Sequence, residues 1–230
     1  MRQVFLDTET TGLDWELGHR VVEIGCIEVS ARRITENSFH SYVNPERQVE
    51  SEAQEVHGLT TEFLLDKPRF SELLEEFLSF IEGCELVIHN ASFDIGFLNN
   101  EIRLVDPARG KIDDYCQVVD SLALARQLHP GQRNSLDALA KRYQVDTSQR
   151  TYHGGLLDAR ILAEVYLAMT GGQADLSFMM NDQQAKLRED NLDIGRSSAR
   201  GARGSSDYSD ERFVVISASD DEILDRKSVV

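Results

Sequence analysis

Val4-Phe5-Leu6-Asp7-Thr8-Glu9-Thr10-Thr11-Gly12 runs an apolar segment straight into two acids, then into threonine and glycine. Side chains alternate faces along a strand. Asp7 and Glu9 therefore share one face, and Thr8 turns to the other. Val4, Phe5 and Leu6 supply apolar groups to both faces, as in a strand covered on both sides. Two carboxylates side by side at the end of such a strand repel each other and are costly to desolvate. A divalent cation reverses that cost, because hard cations such as Mg²⁺ take oxygen ligands. A solvated strand end carrying two acids, followed by a turn, is the simpler alternative, and the remaining residues must decide between them.

Outward from this stretch, Arg20 to Ser30 reads as a second strand, with Gly25 and Cys26 as a small-residue interruption. Arg33 to Val43 reads as a third, and Ala31-Arg32 is a connection short enough for antiparallel neighbours. Leu73, Leu74, Phe77, Leu78 and Ile81 recur at helical spacing, with Ser71 as a cap and Gly83 beyond the end. Glu85 to Ile88 is a short buried strand. Ser92 is the expected cap of the next helix, with Asp94 in its first turn, where the helix dipole favours an acid. Cys116 to Val119 is a last strand ending at Asp120. Helices follow at Ser121–Leu128, from a capping Asn134 to Tyr143, and from about Gly154 to Met169. Strands alternating with helices imply a parallel portion. The expected fold is α/β, a mixed five-stranded sheet flanked by helices.

Composition narrows the class. The chain has 230 residues, 41% hydrophobic and 28% charged, enough for one domain and an appendage. No apolar run approaches the roughly 20 residues that span a bilayer, and no signal-peptide pattern precedes the first strand. A cytoplasmic protein with no membrane partner is expected. Cys26, Cys84 and Cys116 are odd in number and sit in or beside apolar segments, so buried thiols are expected rather than a disulfide or zinc site. The net charge of -16 argues against a whole-surface grip on nucleic acid. It leaves room for an enzyme whose bound cations supply positive charge locally.

His153-Gly154-Gly155-Leu156-Leu157-Asp158 stands near the domain's end. Five helical residues rotate by about 140°, so both groups share a site only if His153 lies on the loop entering the helix. A loop histidine and a solvated helix acid are the bland alternatives. Together, Asp7, Glu9, Asp94 and Asp158 form a set of four acids at element ends. Such a set could hold two divalent ions flanking a phosphoryl displacement, with His153 as a base of suitable pKa.

Asp7-Thr8-Glu9-Thr10-Thr11-Gly12, Asn90-Ala91-Ser92-Phe93-Asp94 and His153-x-x-x-x-Asp158 resemble the three motifs of the DEDD 3′–5′ exonucleases, within the RNase H-like fold. The histidine five before the last aspartate is similar to the DEDDh subtype; the other subtype carries tyrosine at the position of Gly154. Val56-His57-Gly58, Glu85 to Asn90, Asn134 to Leu139 and Ala163 to Gly172 extend the resemblance, over about Arg2 to Gly172, to the proofreading subunits of bacterial DNA polymerases.

The resemblance implies a catalytic set of His153, Asp7, Glu9, Asp94 and Asp158 and two cations, Mg²⁺ or Mn²⁺. Asp7 would bridge both ions, Glu9 and Asp158 would share the tighter site, and Asp94 would serve the second, directly or through water. His153 would be the base. Glu52 and His57 would contact the bound nucleotide at a single-stranded primer 3′ end, and Leu59 would wedge against its base. Residues 1–172 would be the exonuclease domain. Gln173, Leu176 and Phe178, in segment 173–178, resemble a motif that binds the beta sliding clamp. Residues 179–211 read as a flexible linker rich in small and polar residues, so that a flexible C-terminal tail is expected after the domain. Residues 212–230 would dock on the polymerase alpha subunit, and a small theta-type subunit is a further partner the resemblance allows. A free-standing nuclease acting on RNA or tRNA ends, and a mainly structural subunit, are the competing functions.

Overall fold

The structure is a computed structural model that describes residues 2–148 and 150–171. The clamp-type motif at 173–178, the linker and the docking segment lie outside the described residues.

Five strands form one sheet in the order β3-β2-β1-β4-β5. They are β1 (Arg2–Thr10), β2 (Val21–Ser30), β3 (Arg33–Tyr42), β4 (Glu85–Ile88) and β5 (Gln117–Asp120). β1, β2 and β3 pair antiparallel, and β1, β4 and β5 pair parallel. The helices are α1 (Ser51–His57), α2 (Thr61–Leu64), α3 (Phe70–Ile81), α4 (Ala91–Val105), α5 (Ser121–Leu128), α6 (Leu136–Tyr143) and α7 (Gly155–Gly171).

The alternation in β1 builds two cores. Val4 and Leu6 pack with Phe77, Ile81, Phe97 and Ile102, from α3 and α4. Phe5 faces the other way and packs with residues of α6 and α7, including Leu139, Leu162 and Val165. Asp7 and Glu9 follow Phe5 on the α7 side. Thr8 follows Leu6 and reaches α4.

Strand length opens the site. β1 pairs with β4 only from Gln3 to Leu6, because β4 stops at Ile88. β1 continues to Thr10, paired with β2 alone on that stretch. Asp7 to Thr10 thus project past the carboxyl end of β4, at the sheet edge where open α/β folds place their ligands.

Several expected boundaries shift. α4 starts at Ala91, and its cap is Asn90, held left-handed at φ 63° without a side-chain capping bond; Ser92 is not the cap. α6 is capped by Ser135, which accepts from the Ala138 amide, and not by Asn134. α3 starts at Phe70, so Ser71 lies inside it; the Glu72 carboxylate closes the first turn on the Arg69 amide instead. β5 begins at Gln117, one residue after Cys116. Gly25 and Cys26 do not interrupt β2, which pairs with β1 through both. Gly25 serves a close approach: a Cβ there would lie 2.1 Å from the Gly155 carbonyl carbon, at the start of α7. The three cysteines are free and buried, as expected.

Candidate active site

The functional side chains come from two element ends, those of β1 and α7. β1 brings Asp7 and Glu9. The loop entering α7 brings His153, whose amide donates to the Val56 carbonyl of α1 at 3.2 Å. Asp158 lies in the first turn of α7, its amide bonded to the Gly154 carbonyl at 2.9 Å. Gly155 lets the start of α7 approach β1 and β2, since a Cβ there would lie 3.0 Å from the Asp7 carbonyl oxygen, and His153 Nδ1 stands 3.3 Å from Asp158 Oδ2.

Glu9, His153 and Asp158 each offer a ligand atom within 4.8 Å of the other two. Asp7 lines the same cavity, together with Asn90, Asn134, Asp137 and Arg150. The cavity holds about 110 Å³, room for several waters. Glu9, Asp7 and Asp158 are nearly inaccessible to solvent, Asp158 being 2% exposed. One of its oxygens, Oδ1, accepts no aligned hydrogen bond. A buried, clustered carboxylate set fits a hard divalent cation.

Asp94 sits differently. It is fully buried and accepts from Thr8 Oγ1 at 2.7 Å. It approaches the end of β1 from the α4 layer, whereas Asp158 comes from the α7 layer, and it is not among the cavity-lining residues. Its helix is fixed by Glu101, seven residues on and so on nearly the same helical face. Glu101 holds Arg20 through two contacts of 2.7 Å and also accepts from the Val21 amide.

His57 is buried, with Nε2 3.3 Å from the Thr10 carbonyl and Nδ1 accepting from the Leu59 amide at 3.0 Å. It thus braces the end of β1. Glu52 is exposed, and its described bond is from Ser51 Oγ. Leu59 is half-buried. None of these three lines the cavity.

Two further groups hold the site together, His89 within the segment Glu85 to Asn90 and Arg150, which no motif marks. His89 bridges Ser121 Oγ at 2.9 Å and the Asn134 carbonyl at 3.0 Å, pinning the end of β4 to α5 and to the loop before α6. Arg150 enters the cavity itself. Its Nε lies 2.7 Å from Asp158 Oδ1, its Nη2 donates to Asp158 Oδ2 at 2.9 Å and to His153 Nδ1 at 2.8 Å, and its Nη1 pairs with Asp137. Burial opposes ionisation of Asp158, but His153 and Arg150 together overcome it and leave the carboxyl below its ordinary range. Arg150 Nη2, a donor, and Asp158 Oδ2, an acceptor, both reach His153 Nδ1 and compete for that one nitrogen. A basic residue in a loop carries no periodic signal, so Arg150 was invisible to pattern reading.

A mixed sheet whose end gathers carboxylates and a histidine agrees with the class that the family comparison gives, the exonucleases. The family profile described as Exonuclease matches residues 4–166. Among solved structures, Exonuclease X in complex with 5′ overhanging duplex DNA superposes with a TM-score of 0.60 at 26% identity, over 75% of this chain and 93% of that one. A zinc-bound E. coli ExoI–ssDNA complex gives 0.65 at 17% identity, over 79% and 43%, a likeness of fold. The DNA polymerase III subunit epsilon of Salmonella typhimurium (strain LT2) is 57% identical over 187 residues, 79% of this chain and 76% of the relative. That of Escherichia coli (strain K12) is 56% identical over the same shares, and that of Rickettsia prowazekii (strain Madrid E) 50% over 79% of each. The chain belongs to the family of DNA polymerase III epsilon subunits.

Proposed function

We propose that the chain is the 3′–5′ proofreading exonuclease of a polymerase III core, cutting mismatched 3′-terminal nucleotides from primer DNA as 5′-monophosphates. The observation that carries this is the meeting of Glu9, His153 and Asp158 beside Asp7 in one cavity at the end of β1. Asp7, Glu9 and Asp158 would hold Mg²⁺ or Mn²⁺, and Asp94, braced by Thr8, would serve a second ion from the α4 side. Such ions, when bound, stabilise charge on the attacking and leaving oxygens of a phosphodiester.

The chain's own residues do the rest. His153 takes the proton of the attacking water. For this it needs its own ring proton on Nδ1, facing Asp158, and a lone pair on Nε2. Asp158 then orients the ring and stabilises its protonated form. His57 supports the Thr10 carbonyl, and His57, Glu52 and Leu59, which lie outside the cavity lining, would contact the terminal nucleotide as it enters. A mismatched end is the preferred substrate because it unpairs at lower cost.

Residues 173–230 supply tethering in this reading. Gln173, Leu176 and Phe178 would anchor in a pocket of the beta sliding clamp, and segment 212–230 would dock on the alpha subunit. A theta-type subunit would be a third partner. Tethering raises the local concentration of the nuclease at the primer end, which offsets the repulsion expected of a chain with net charge -16. The test is degradation of a 3′-mismatched primer by the purified full chain with Mg²⁺. Mononucleotide release that is lost in Asp7→Ala supports the reading. No release, or equal release by the Asp7→Ala chain, overturns it.

A further inference from the structure

Arg150 has no task in that chemistry, yet its guanidinium lies in the cavity against Asp158, His153 and Asp137. We propose that Arg150 is a built-in counter-ion: it neutralises Asp158 while the site lacks divalent cations, and the first cation to bind displaces it. This rests on the hydrolase reading above.

Three observations support it. First, the Arg150 side chain is only 10% exposed, and its guanidinium meets both Asp158 oxygens and His153 Nδ1. Those two residues and Glu9 are the cluster drawn close enough to share an ion. A divalent cation bound there would repel the guanidinium and compete with it for the same carboxylate. Second, the contact with Asp158 Oδ1, although 2.7 Å long, is not aligned as a hydrogen bond. The pairing at that oxygen is a matter of charge, on which a divalent cation competes directly. Third, Arg150 has somewhere to go. Its Nη1 already pairs with Asp137, whose side chain is 34% exposed. Released from Asp158, the guanidinium keeps an ionic partner and avoids becoming an unpaired buried charge.

Displacement also changes His153. With Arg150 gone from Nδ1, that nitrogen is free to carry the proton and donate it to Asp158 Oδ2, 3.3 Å away. Cation loading would then set the tautomer that a base working through Nε2 requires. Competition of this kind is reciprocal, so whatever arginine binding contributes to the empty site is subtracted from cation affinity.

The test is calorimetric titration of Mg²⁺ into the full chain and its Arg150→Met variant, with thermal denaturation of both, with and without Mg²⁺. Arg150→Met should bind Mg²⁺ more tightly by roughly fivefold or more, the lower end of typical coupling. Its melting temperature without Mg²⁺ should fall, and Mg²⁺ should restore most of the difference. Equal or weaker Mg²⁺ binding by Arg150→Met, with wild type binding normally, overturns the role of Arg150 and leaves the hydrolase standing. Absence of Mg²⁺ binding in the wild type overturns both. If Arg150→Met fails to fold, the side-chain Nε–H resonance of Arg150 in the wild type decides, assigned by its loss in Arg150→Lys. The proposal requires it to shift along the Mg²⁺ titration; a resonance unmoved through saturation overturns it.

Discussion

At the scale of single residues, the proposed chemistry separates binding groups from the base. His153→Ala should still take up divalent cations through Asp7, Glu9 and Asp158, but slow hydrolysis about 10²–10⁴-fold. Single-turnover cleavage of a 3′-labelled oligonucleotide measures this, and a full-rate His153→Ala enzyme would refute the base assignment. Asp7, Glu9, His153 and Asp158 were legible because each sits at a fixed offset from a strand end or helix start. The alternation rule placed Thr8 opposite Asp7 before any coordinates, and Thr8 indeed bonds Asp94 in the other layer. Arg150 was not legible. Its position follows from the path of a loop, and a lone arginine between Gln149 and Thr151 looks like any solvated cation.

At the scale of elements, the site depends on how closely α7 approaches β2. Gly25→Ala would drive a Cβ to 2.1 Å from the Gly155 carbonyl carbon, so the start of α7 must shift. A loss of at least about 1–3 kcal/mol of stability is expected, as for other overpacked sites. Cleavage should fall with it, because His153 and Asp158 ride on that segment; denaturant unfolding beside the primer assay measures both. The sheet's outer half carries a second test. Glu28 of β2 accepts from Arg2 of β1 at 2.5 Å and from Thr35 and Asn37 of β3. The Arg2 bond, helped by the other two, holds the Glu28 carboxyl below its ordinary value. A lowered folded-state pKa contributes stability above the unfolded value of about 4.3, and that contribution vanishes as pH falls through the folded one. Glu28→Gln should therefore cost about 1 kcal/mol at pH 7, and the difference should close in acid. A pH series of urea midpoints for both proteins checks the sign. The five strands and α3 to α7 were readable from apolar pattern and turn residues, whereas the short α1 and α2 were not. The caps at Asn90 and Ser135 were missed because several adjacent polar residues could each begin the helix. Backbone geometry, a left-handed Asn90 in particular, chose among them.

At the scale of the whole molecule, residues 1–172 and the rest divide the labour in the proposed reading. Replacing Gln173, Leu176 and Phe178 together by alanine should abolish retention of the chain on immobilised sliding clamp. The rate on a free oligonucleotide should stay unchanged; surface plasmon resonance beside the primer assay separates the two. Among the described residues no helix is long and apolar enough to cross a membrane. The convergence of elements on one sheet edge follows from β4 ending four residues before β1. Strand lengths could be read from the sequence, but the register that makes the mismatch a cavity could not. The most direct measurement is anomalous diffraction from crystals of the full chain soaked with Mn²⁺ and a nucleoside monophosphate. The account predicts Mn²⁺ peaks bounded by Asp7, Glu9 and Asp158. The absence of any peak there, at a Mn²⁺ concentration that supports hydrolysis, would contradict it.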